Sequence, residues 1–191
     1  MKRNAVILCA GKSVHFAPFS YEMPKGCFIV NGEVLIERLI NQLKEALIDD
    51  IYVVVGHMKE RFFYLEEKFG VKLIINNEYE HRGNFLSLYS VRSYLGNTFV
   101  CYPDQYYMNN PFLKINLSNT SYHYVSKFKP KKKKLMAHIS EANVITDISS
   151  TEKNPYQLVG LAYINKDCSK RIIKFMEKDI NKFGIPDLFW E

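Results

Sequence analysis

Two stretches of the chain carry residues that could act on a phosphorylated ligand. The first is Ala5 to Gly26, AVILCAGKSVHFAPFSYEMPKG, in which an apolar run ends abruptly in a loop of small residues. Val6, Ile7 and Leu8 read as a buried strand, because a β-branched run halted by Ala10-Gly11 is too short for a helix. Beyond it stand Gly11, Lys12 and Ser13, then a proline-bounded segment closing on Pro24-Lys25-Gly26. A strand that runs into a glycine-containing loop leaves backbone N–H groups free to face an anion, and a lysine one loop later adds positive charge. A phosphate chain would be held in this way. The second stretch is Thr98 to Asp104, where a strand-like run ends directly in Pro103-Asp104. Ligands of an open α/β sheet gather at the carboxyl ends of its strands, so an acid placed there is a candidate metal ligand.

Each feature has a plainer reading. A strand followed by Ala-Gly is common in α/β proteins, and here neither a GxGxxG pattern nor the GK[ST] ending of a P-loop is complete. By spacing alone, Lys25 is a surface lysine after a proline and Asp104 a turn acid.

The elements that must position these residues follow a regular alternation. Val34 to Ala46 has a helical period, with Leu35, Leu39, Leu43 and Ala46 on one face and Glu37, Arg38, Lys44 and Glu45 on the other. Ile51 to Val55 is a second buried strand, and strand-helix-strand in this order implies a parallel sheet with a right-handed crossover. His57 to Phe69 reads as another amphipathic helix with Gly70 just past its end, and Val71 to Ile75 as a third strand. Asn84 to Leu95 resumes a helical period, and Thr98 to Tyr102 is the fourth strand. Ser121 to Phe128, Leu135 to Ile139 and Val144 to Ile148 read as a meander of shorter strands, followed by a strand over Gln157 to Ile164 and a helix over Lys170 to Phe183. The expected fold is α/β, a single Rossmann-like domain over residues 1–191, with a mixed, mostly parallel sheet and helices on both faces.

Composition bounds the function. At 191 residues, 47% hydrophobic and 14% aromatic, the chain can bury a sizeable core. Cys9, Cys27, Cys101 and Cys168 are far apart and form no CxxC pair, so a reducing cytoplasm is the simplest setting. The apolar run after Met1-Lys2-Arg3 is interrupted by Lys12, too early for a secretory h-region, and nothing approaches the roughly 20 apolar residues of a membrane span. Of the net charge of +6, four units come from Lys131 to Lys134, leaving +2. That run reads as a solvated hairpin tip, and no nucleic acid partner is expected.

The run LCAGKSVHFAPFSYEMPKG resembles the signature L-A-A-G-x-G-x-R…P-K of the nucleotidyltransferase (NTP transferase) family. Asn31-Gly32, Leu35-Ile36-Glu37 and Val53-Val54-Val55-Gly56 extend the likeness to the branch containing the bacterial CTP:phosphocholine cytidylyltransferases. The resemblance implies Mg²⁺-dependent transfer of CMP from CTP to a small phosphorylated alcohol. It assigns nucleotide binding to the backbone of Leu8, Ala10, Gly11, Lys12 and Ser13, and to Asn84 and Ser87, which match its N-x-x-S-L. It assigns a phosphate-side, catalytic role to Lys25, and metal ligation to Asp104 and to Glu191, which follows tryptophan as the family's second acid does. Phe189 and Trp190 match its aromatic pair at the acceptor, and Tyr106, Tyr107 and Tyr156 are further candidates for an aromatic cage around a quaternary ammonium. His15 stands where the family has its loop arginine, and Lys12 can supply the charge that a histidine lacks. The family continues beyond the W-[DE] step at which this sequence stops, so a shortened closing segment is expected. A nucleotide-binding protein without transfer activity and a sugar-1-phosphate nucleotidyltransferase are the alternatives.

Overall fold

The computed structural model describes residues 2–80, 83–114, 121–126, 136–149 and 156–180. Strand β1 (Asn4–Cys9) runs through the middle of an eight-stranded sheet. After a long loop and a two-stranded hairpin, β2 (Ile29–Val30) with β3 (Glu33–Val34), come α1 (Leu35–Glu45), β4 (Ile51–Val55), α2 (Tyr64–Phe69) and β5 (Lys72–Ile75). Then follow α3 (Gly83–Ser90), β6 (Thr98–Cys101), β7 (Tyr122–Ser126), β8 (Met136–Ile139), β9 (Ile145–Ser149), β10 (Tyr156–Ile164) and α4 (Lys166–Asp179).

The sheet is mixed. β5, β4, β1 and β6 are mutually parallel in that order, with Ala5 to Cys9 registered against Ile51 to Val55 and Asn4 to Ile7 against Thr98 to Cys101. β10 is antiparallel to β6 and extends the sheet, pairing with β7 and, through Tyr156 and Gln157, with β8. The expected meander is therefore only partly present. β8 and β9 form a hairpin, but β7 pairs with β10. The lysine run lies outside the described residues.

Side chains alternate across a strand, and here the alternation divides the core in two. Ala5, Ile7, Cys9, Val53, Val55, Phe99 and Cys101 pack against Ile36, Leu39, Ile40 and Leu43 of α1 and Leu65 of α2. Val6, Leu8, Tyr52, Val54 and Val100 meet Leu88 of α3 and Met176 of α4 on the opposite face. Helices thus cover both faces. No side chain caps the start of α1; its stability comes from burying an apolar stripe at about 1.5–3 kcal/mol per large side chain.

Three helices depart from their sequence limits. The run from His57 opens on Met58 with a left-handed φ of 51°, continues as a 3-10 helix over Lys59–Phe62, and is α-helical only over Tyr64–Phe69. α3 ends at Ser90, whose hydroxyl bonds the Ser87 carbonyl at 2.7 Å and so competes with the backbone ladder. α4 starts four residues before the expected Lys170 because Asn165 caps it, its Oδ1 accepting from Cys168 N at 2.8 Å. Residues beyond 180, where the expected helix ran on to Phe183, lie outside the described residues. Replacing Asn165 with alanine removes the cap, and urea unfolding is expected to show a loss of about 1 kcal/mol with the fold retained.

Candidate active site

Because β5, β4, β1 and β6 are parallel, their carboxyl ends share one edge. Ala10, Gly56, Asn76 and Tyr102 to Asp104 leave the sheet there, directly after those four strands. The loops are stitched together by backbone bonds: His57 N donates to Ala10 O at 3.0 Å and Asn76 N to Val55 O at 2.8 Å. Glycine is needed where they touch. A Cβ at Gly56 would lie 2.8 Å from the Tyr79 ring and 2.9 Å from Ala10 O.

Lys25 and Asp104, 79 residues apart in sequence, meet on this edge with the Lys25 Nζ 2.7 Å from Asp104 Oδ2. Both side chains are partly buried, 25% and 22% exposed. The turn Lys25–Cys27 reaches Asp104 by lying directly on the sheet end: a Cβ at Gly26 would stand 3.0 Å from Cys9 Sγ and 3.2 Å from Pro103 Cβ. The segment after Asp104 is held independently. Arg38 of α1 donates through Nε and Nη2 to Tyr107 O at 3.2 and 2.8 Å, and through Nη2 to Met108 O at 3.2 Å, while Gln42 adds a bond to Tyr107 O at 3.0 Å. Sequence reading placed Arg38 on the polar face of this helix and did not single out Gln42. Their partners are backbone carbonyls, which no residue pattern reveals.

The glycine loop leaves the same edge, directly after β1. Gly11 and Ser13 are exposed or half-buried, and Ser13 takes a left-handed φ of 55°. Lys12 projects across the edge to Glu80 at 2.8 Å, an exposed pair whose hydrogen bond and charge raise the lysine's pKa. His15 is exposed in a single helical turn, Val14–Phe16. Leu8 is a core residue of β1, so it can meet a ligand only through its backbone.

Asn84 and Ser87 lie on the first turns of α3 but differ in surroundings. Ser87 is 3% exposed and accepts from Asn76 Nδ2 at 3.0 Å, bracing α3 against the end of β5. Asn84 is the second helical residue, and its Nδ2 donates to the Tyr102 hydroxyl at 3.1 Å. Of the acceptor candidates, Tyr106 donates to Glu33 Oε2 at 3.0 Å and carries the Arg38 guanidinium 4.4 Å from its ring centroid. One of its faces is therefore already used by a cation. Tyr156 opens β10, paired with Ala137 of β8. Phe189, Trp190 and Glu191 lie outside the described residues.

The donor set suits a hard divalent cation. Asp104 offers oxygen ligands at a partly open strand end, and Mg²⁺ characteristically takes one or two carboxylates together with substrate phosphates and water. Among the described residues no three His, Cys, Asp or Glu side chains gather to form an all-protein metal cage.

A parallel sheet edge with a small-residue loop, a lysine and a strand-end carboxylate is an arrangement for nucleotidyl transfer. The MobA-like NTP transferase domain matches residues 5–140, and the chain belongs to that family. It is 33% identical over 188 residues to the choline-phosphate cytidylyltransferase of Streptococcus pneumoniae, covering 98% of this chain and 81% of that protein. Identity is also 33% over 193 residues to the 2-aminoethylphosphonate cytidylyltransferase of Lancefieldella rimae, covering 100% of this chain and 78% of the relative. The solved CTP:phosphocholine cytidylyltransferase from Streptococcus pneumoniae matches at a TM-score of 0.91 and 32% identity, over 100% of this chain and 82% of that one.

The cysteines beneath the edge are shielded. Burial holds the Cys9 thiol far above its usual range. Burial also pushes the Cys27 thiol up to about 11, with Arg61 pulling the other way and Glu37 adding to the rise. The folded state therefore holds the Cys27 proton more tightly than the unfolded chain. This contribution to stability is complete below the ordinary thiol value of 9.0 and is lost as pH rises through about 11. Alkylation of Cys27 by iodoacetamide, followed by peptide mass spectrometry, is expected to reach half its limiting rate near pH 11. A midpoint near 9 would contradict the shift.

Proposed function

We propose that this protein transfers CMP from CTP to a small phosphorylated alcohol, phosphocholine or a close relative such as 2-aminoethylphosphonate, with release of pyrophosphate. The observation that carries the reading is the near-full-length likeness to two cytidylyltransferases. Their names share the nucleotidyl group and differ in the acceptor, so the donor half of the reaction is the firmer half. The arrangement of Lys25 and Asp104 supports the same reading, because this reaction needs positioned charge more than covalent help from the protein.

The acceptor's phosphate or phosphonate oxygen attacks the α-phosphorus of CTP. A new P–O bond forms there as the bond to the bridging oxygen of the β-phosphate breaks, and that oxygen leaves with its electron pair on pyrophosphate. Asp104, with Glu191 as a second acid, would hold Mg²⁺, which when bound offsets the charge on the α-phosphate and the leaving pyrophosphate. Lys25 waits with its ammonium on Asp104 and exchanges the carboxylate for phosphate oxygens when nucleotide arrives, a change of partner within the reach of one side chain. The backbone of Ala10 to Ser13 lines the phosphate path, and Lys12 leaves an exposed pairing with Glu80 at little cost. His15 would add a partial charge. Asn84 faces the nucleotide, while the acceptor's cationic end falls to Tyr156, Phe189 and Trp190. Four free cysteines suit a reducing cytoplasm, and no helix among the described residues is long and apolar enough to cross a membrane.

Pyrophosphate release tests the reading, with Mg²⁺, each of CTP, UTP, ATP and GTP, and a panel of phosphocholine, phosphoethanolamine, 2-aminoethylphosphonate and sugar 1-phosphates. The expected result is release that needs both CTP and a phospho-alcohol or phosphonate, is abolished by EDTA, and falls at least about 100-fold in Asp104→Ala. Release with sugar 1-phosphates alone would move the protein to the sugar branch. CTP binding without release under any pairing would leave a nucleotide-binding protein.

A further inference from the structure

Tyr102 leaves β6 two residues before Asp104, with its side chain on the same face of the sheet as Val100. Tyr102 N donates to Gly160 O at 3.0 Å, which ties the residue to the middle of β10. The aromatic ring lies against the same glycine: a Cβ at residue 160 would stand 2.7 Å from Tyr102 Cδ2 and 2.9 Å from its Cβ. No other residue type fits under a ring at that separation. Thus held, Tyr102 packs against the core between the sheet and α3, and its hydroxyl accepts from Asn84 Nδ2 at 3.1 Å.

In this arrangement the Asn84 amide turns its nitrogen to the phenol, one of its two N–H groups being engaged there. The nitrogen is engaged by the phenol, so the carbonyl oxygen is the end offered to anything that binds at the first turn of α3. An amide oxygen accepts and cannot donate. An Asn84 oxygen turned to a ligand would favour a hydrogen-bond donor there, and the preference would be set by a residue on another element.

We propose that Tyr102 is a positioning residue for nucleotide selection. It fixes the Asn84 amide with its oxygen toward the nucleotide, and Gly160 is the position that admits its ring. This rests on the cytidylyltransferase reading above. Two candidate donors of CTP are put to the test, the 4-amino group of cytosine and the ribose 2′-hydroxyl. UTP keeps the ribose and carries a carbonyl at position 4, whereas 2′-deoxy-CTP keeps the base and lacks one hydroxyl. The two analogues separate the sources.

The test is Tyr102→Phe, which keeps the ring on Gly160 and removes only the hydroxyl. KM for CTP is expected to rise about five-fold, the worth of one ordinary hydrogen bond, with kcat unchanged and the thermal midpoint retained. Discrimination against one analogue should narrow by the same factor, UTP if the base amine is read and 2′-deoxy-CTP if the ribose is. In an Asn84→Ala background the same substitution should have no effect on KM, because a positioning residue has nothing left to position. An unchanged KM and unchanged discrimination in Tyr102→Phe overturn the proposal, and so does an equal effect with and without Asn84. Wild-type protein that neither binds nor uses CTP defeats the underlying reading instead, and a calorimetric CTP titration made beforehand separates that failure from this one.

Discussion

The contact between Lys25 and Asp104 marks where the two halves of the edge meet, at the ends of the parallel strands. Its stabilising worth is small: pairs this accessible contribute about 1 kcal/mol or less. The two segments are instead set by stronger devices. Gly26 lets its turn lie on Cys9 and Pro103 with no side chain between, and Arg38 and Gln42 clasp the backbone beyond Asp104. The ion pair is therefore the result of the architecture rather than its cause. Its charges would therefore be free to turn to a ligand without loosening the fold.

The division of the core by odd and even residues of β1 has a similar consequence. One face of the sheet binds α1 and α2, and the other binds α3 and α4. The edge is thus approached from both sides, Arg38 holding the Asp104 segment from one face and Ser87 and Asn84 meeting loops and strand ends from the other. A ligand lying along the strand ends would touch groups whose positions are fixed by opposite layers of the molecule.

Much of this was legible in the sequence, and the reason is periodicity. β1, α1, β4 and β6 are each specified by a local pattern of buried residues, and the family signature added the identity of the loop, Lys25 and Asp104. What was not legible depends on partners distant in sequence. Asn165 caps α4 ahead of its apolar stripe, and a lone asparagine after a strand does not reveal that. The pairing of β7 with β10 across more than thirty residues has no local sign. Ser87 illustrates the same limit at the site. The N-x-x-S-L motif aligned it with nucleotide contact, and no residue pattern showed that its hydroxyl also accepts from Asn76 inside the protein. Gly160 carries no local sign within the strand over Gln157 to Ile164, and only the ring of Tyr102 explains it.

Ser13 and Met58 both hold left-handed backbone angles, with φ of 55° and 51°, in loops that follow β1 and β4. Each non-glycine residue in that region costs about 1 kcal/mol relative to a relaxed conformation. A chain shaped by thermodynamics alone would place glycine or asparagine at both. The edge is thus a place where the protein stores conformational tension, and it is the natural target for engineering heat resistance. The same substitutions would also free the loops that any ligand must find already arranged, so gains in melting temperature made here are expected to be drawn from preorganisation, and hardening of the molecule is better sought on the opposite edge of the sheet.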